Sequence, residues 1–160
     1  MVTAIIVCFV TILSFSSLKY CKKRFDVLEL IILFLFSSCI CQTIFYKIFS
    51  AYDRLVIVES FYASFSVKLH FGMMLPSLLI WVMFVLKSKT ELLTKLIVSF
   101  SWILFNVIGE KIYLLVGVLE SKTPSWYPSI DLFFGMLIIP GTLFFLEKMN
   151  DVLRKDHVIQ

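Results

Sequence analysis

Long apolar runs separated by short basic or proline-containing segments set the pattern of this chain. The first is residues 2–18, VTAIIVCFVTILSFSSL, and the second is about 27–46, VLELIILFLFSSCICQTIFY. A third covers about 69–86 and a fifth about 131–147, DLFFGMLIIPGTLFFLE. The fourth is divided, with Leu96–Gly109 and Ile112–Leu119 on either side of Glu110 and Lys111. A bilayer core about 30 Å thick needs roughly 20 helical residues at about 1.5 Å each. Neither half of the fourth run meets that length, so one continuous helix over about 93–118 is expected, carrying Glu110 and Lys111 in its outer third. The alternative is a short oblique span that emerges at Glu110, followed by a re-entrant or surface segment. Pro76 predicts a bend between Gly72 and Pro76, because proline removes one helix hydrogen bond and crowds the preceding turn. In a bundle, neighbouring helices can satisfy the carbonyl so freed. Pro140-Gly141 predicts a second kink.

Residues 47–70 carry a mixed pattern. Leu55, Val58, Tyr62 and Phe65 recur at spacings of three and four, consistent with an amphipathic helix over about 52–65 lying on the outer surface. The alternative is a helix that extends the third span outward. Tyr46, Tyr52, Phe61, Tyr62 and Phe65 suit an interfacial aromatic belt, as do Trp126 and Tyr127 in the loop SKTPSWYPSID.

Charge then orients the runs. The cluster Lys19, Lys22, Lys23 and Arg24 follows the first span, and short basic loops remain on the cytoplasmic side. The N-terminus is therefore expected outside and the C-terminus inside. On that arrangement Lys87, Lys89, Lys95, Lys148, Arg154 and Lys155 join the cluster on the inner side, ten of the 15 basic residues. Lys47, Arg54, Lys68, Lys111 and Lys122 fall outside. No basic segment precedes the first run and no small-x-small cleavage site follows it, so it is read as a retained span and not a signal peptide. The expected fold is all-α: a polytopic transmembrane bundle of five spans, forming a single integral membrane domain over 1–160.

Composition agrees. The chain is 60% hydrophobic with 17 Phe and only 16% charged, where soluble domains carry about 25% charged residues. Its mean hydropathy is +0.96. The net charge of +4 follows the membrane-facing pattern and does not point to nucleic acid. Cys8, Cys21, Cys39 and Cys41 lack metal or redox spacing and read as small apolar residues. Asp26 and Glu29 stand where the first turn of the second helix favours a carboxylate.

A few polar groups inside spans are the candidates for function. Gln42, His70, Asn106 and Glu110 all fall in the outer half of the expected bilayer, and Trp102, Asn106 and Glu110 share one helix face at i, i+4 spacing. They would meet around a small polar pocket open to the outside, with Glu59, Trp102 and Lys111 in support and Asp53 and Arg54 above. Ionisable groups within spans are functional candidates by default. The structural alternative is that Asn and Gln make interhelical contacts, that Lys111 snorkels to the headgroups, and that Glu110 pairs nearby. No nucleophile elbow, zinc-protease or P-loop motif is present, and nothing implies a metal or cofactor. His70 and His157 fall on opposite sides of the membrane.

The first reading is a non-enzymatic protein of the cell membrane that works through helix contacts. Its partners would be the lipid bilayer and either another membrane protein or further copies of itself. The second is a small transporter or ligand-binding subunit using the polar pocket.

Overall fold

The computed structural model describes residues 2–51, 55–122 and 128–155, with the side chains of 46–51 set aside. Tyr46, Lys47, Tyr52, Asp53, Arg54, Trp126, Tyr127 and His157 therefore lie outside the described residues or side chains. Among the described residues the structure is all-α apart from one short ribbon, and five helical stretches are long and apolar enough to cross a membrane. Helix α1 spans Val2–Ser17 and runs into a 3-10 turn, Leu18–Lys23. Helix α2 is Val27–Ala51. Helix α3, Phe61–Leu69, continues through a π turn at His70–Met74 into α4, Leu75–Leu86. Helix α5 is Leu92–Leu115 and α6 is Ser129–Lys155, the last continuing well beyond the apolar run that predicted it.

Residues 55–65 depart from a surface helix. Leu55–Ile57 form strand β1, paired antiparallel with β2, Leu119–Ser121, and only from Phe61 does the chain turn helical, extending the third span. The ribbon holds because its inward side chains, Leu55 and Leu119, are both buried. It ties the connection after α2 to the connection after α5. Gly117 makes that second connection: at φ 71° it ends α5, with Val118 N–H donating to the Tyr113 carbonyl and Gly117 N–H to that of Leu114. This pair of bonds is a Schellman cap, whose left-handed residue glycine adopts without strain.

Side chains are sorted inside out. On α5 the buried residues are Trp102, Ile103, Asn106, Glu110 and Tyr113, while Leu93, Leu96, Ile97, Phe100 and Ile108 are exposed. A helix with its polar groups inward and an apolar outer face is matched to hydrocarbon as its solvent, because lipid cannot hydrogen-bond what faces it. The third span is the central one, and most of α4 is buried among its neighbours.

The π turn repairs what Pro76 breaks. Without an N–H, Pro76 leaves the Gly72 carbonyl unpaired in the helix. Leu75 N–H donates instead to the carbonyl of His70, five residues back. Ser38 Oγ of α2 donates to Gly72 O at 2.6 Å, Ser77 Oγ to Met73 O at 2.7 Å, and Trp102 Nε1 of α5 to Leu75 O at 3.1 Å. Three side chains thus satisfy the irregular stretch, as buried backbone requires.

The end opposite the ribbon is basic. Arg24 lies over the Phe84 ring and its Nη1 donates to Phe84 O at 3.4 Å, and Lys87 pairs with Glu147 at 3.7 Å. Glu29 accepts from the Asp26 N–H at 2.7 Å, the reciprocal half of a capping box, so its role is to start α2.

Candidate functional site

The candidate residues gather around the π turn. Because Leu75 faces Trp102 and His70 packs on Gly109, α5 runs antiparallel to α4 with Asn106 level with the turn itself. Gln42 reaches the same level from α2: its amide lies so close to Gly72 that a Cβ there would collide with it. Gln42, His70 and Asn106 are therefore neighbours in height, brought from three helices. Glu110 stands one turn farther along the buried face of α5.

Their environments differ. His70, Asn106 and Trp102 are buried and Glu110 is fully enclosed, whereas Gln42, Glu59 and Lys111 are exposed. Asp131, in the first turn of α6, is also fully buried, and both it and Glu110 are engaged by neighbouring groups. A carboxylate removed from solvent persists as an ion only with such partners. Asn106 and Glu110 sit in the interior of the bundle.

His70 is different, because it also lines a cavity. The imidazole is held by rings: parallel to Phe105 with centroids 6.1 Å apart, and edge-on to Phe71 at 4.8 Å and Tyr113 at 5.3 Å. Gly109 admits it, since a Cβ there would stand 3.0 Å from its Cε1. The cavity, about 350 Å3, lies between α1 and α5 and has Met74 and Tyr113 beside His70 in its lining.

Tyr113 and Asp131 were not among the residues singled out by sequence. Tyr113 continues the stripe of Trp102, Asn106 and Glu110 by one more turn, and extending that stripe would have found it. Asp131 had the signal of a carboxylate in a first turn, which by itself does not distinguish a buried group from an exposed one. A scan of protein-family models and searches of curated proteins and of solved structures find no match to this chain.

Proposed function

We propose that the chain is a multi-pass protein of the cell membrane, N-terminus outside and C-terminus cytoplasmic, that works without catalysis through contacts made inside the bilayer. It acts as an accessory subunit of a membrane assembly or by association with further copies of itself. The observation that carries this reading is the outer wall, which is apolar and grooved. A groove of about 590 Å3 runs between the first half of α5 and the Met136–Pro140 stretch of α6, lined by Leu96, Phe100, Met136 and Pro140 among others. Another of about 450 Å3 separates α1 from α2 beside Lys19 and Lys22. Grooves between helices are where side-chain knobs of another helix seat, and packing is the force that joins helices in lipid.

Native extraction tests the association. In mild detergent the protein is expected to run as an assembly larger than one chain, and a strictly monomeric species from native membranes would defeat the reading.

Orientation is supported by the basic end, where the Arg24 and Lys87 contacts lie, opposite the ribbon. It is tested by single cysteines in a variant whose four native cysteines are replaced. Thr90→Cys should be shielded from a membrane-impermeant maleimide in intact cells and Glu120→Cys should react. The reverse pattern would invert the topology.

A further inference from the structure

We propose that the cleft between α1 and α5 is a binding site, reached sideways from the lipid, for an uncharged molecule whose one carbonyl or hydroxyl is received by His70 and Tyr113. The inference rests on the membrane reading for its route of access and goes beyond it in assigning a ligand.

The cleft holds about 350 Å3, within the range of roughly 300–1,000 Å3 typical of small-molecule sites. Its walls are Ile6, Val7 and Val10 of α1 and Phe105, Ile108 and Ile112 of α5. Ile6, Ile108 and Ile112 are exposed, which places the mouth on the outer side wall of the bundle. Among the described residues, no charged one lines it.

Against this apolar lining stand two polar side chains with nothing to bond. Both ring nitrogens of His70, which is 2% exposed, and the hydroxyl of Tyr113, which is 3% exposed, lack a hydrogen-bond partner among the described residues. Such groups are ordinarily satisfied, and an orphan carries a desolvation cost. The opening faces hydrocarbon, which cannot supply the missing bonds. A ligand can.

The chemistry of the pair selects that ligand. A neutral imidazole offers one donor and one acceptor, and a phenol can act as either. Together they can donate twice to a carbonyl, or accept from and donate to a hydroxyl. An anionic or cationic head would have no counter-charge among the described lining residues. Apart from Thr3 at one end, the remaining lining is apolar and suits hydrocarbon or an aromatic body. The ring is also held in place for the task. The π turn, a feature common at functional sites, sets His70 against Gly109, and the three aromatic neighbours fix its plane.

Benzophenone is the probe, because it is uncharged, carries one carbonyl and cross-links on illumination to side chains beside it. The full chain in lipid nanodiscs should be labelled saturably, with adducts on Met74, Ile108 or Ile112. Benzhydrol, the hydroxyl analogue, should compete, and diphenylmethane, the same body without oxygen, should compete roughly tenfold less well, the scale of one buried hydrogen bond. Tyr113→Phe removes a single oxygen and should lower labelling by a similar factor, as should His70→Phe in protein shown to be folded by circular dichroism. Undiminished labelling of Tyr113→Phe, or adducts spread over lipid-facing residues such as Phe9, Phe133 and Phe144, would overturn the site. Stripping of the chain from membranes by alkaline carbonate would instead sink the membrane reading on which access depends.

Discussion

Trp102→Ala is expected to destabilise the bundle by about 3 kcal/mol, within the range found for deleting a buried aromatic side chain. Two losses add. The indole is buried at the contact of α5 with α4, and in lipid its removal is felt chiefly as lost packing, since no water is displaced when helices meet. Its Nε1–H also satisfies the carbonyl of Leu75, immediately before Pro76. That stretch has already given up one regular helix bond, so an orphaned carbonyl there has few alternatives. Trp102→Phe separates the terms: it keeps most of the ring and deletes the donor, and should cost about 1 kcal/mol, the net worth of one such bond. Thermal unfolding in a fixed detergent would read both. If alanine costs no more than phenylalanine, packing at this contact contributes nothing and the indole acts only through its donor.

How much of this was legible beforehand depends on the kind of signal. Five candidate spans can be read from apolar length, once the two halves of the fourth are joined, because that criterion applies to each helix separately. Length favoured an unbroken course of α5 through Glu110 and Lys111 over an exit at Glu110, and the helix is indeed continuous from Leu92 to Leu115. Pro76 announced that a carbonyl would be freed and that a neighbour would satisfy it. The neighbour, Ser38, could not be named, because which hydroxyl arrives depends on how α2 is rotated against the third span. The ribbon was hidden for the same reason. Leu55–Ile57 finds its partner at Leu119–Ser121, far along the chain, and the apolar spacing of Leu55, Val58, Tyr62 and Phe65 imitates a helix.

Several polar groups inside the spans could be named from the sequence, though not Tyr113, and their arrangement could not. Counting charges placed Glu110 near the outer boundary of the membrane, which is a statement about depth. Its complete enclosure is a statement about the interior of the bundle, and charge counts carry no information on that. Gln42, His70 and Asn106 do share a level, yet the property that distinguishes His70 from the others is the absence of a bonding partner beside an open cleft. That property belongs to the gap between α1 and α5, two helices distant in sequence.

Gly135→Leu should cost about 2 kcal/mol through overpacking, and the cause can be checked from the opposite helix. A Cβ at Gly135 would lie 3.0 Å from Cγ2, 3.1 Å from Cγ1 and 3.5 Å from Cβ of Ile103. A β-branched side chain in a helix has essentially one rotamer, so Ile103 cannot swing aside and α5 and α6 must separate. Gly72 provides the contrast, since what a Cβ meets there is the amide end of Gln42, a flexible group on an exposed side chain. Gly72→Ala should therefore be nearly neutral although its approach is the closer of the two. Ile103→Ala opens space beneath position 135 and should recover part of the loss in the double variant, giving a favourable coupling of about 1 kcal/mol, within the range for residues in direct contact. Unfolding of the four proteins in one detergent measures that coupling. Strict additivity would mean that the close approach at Gly135 does not hold α5 and α6 together, and that their packing is set elsewhere along the pair.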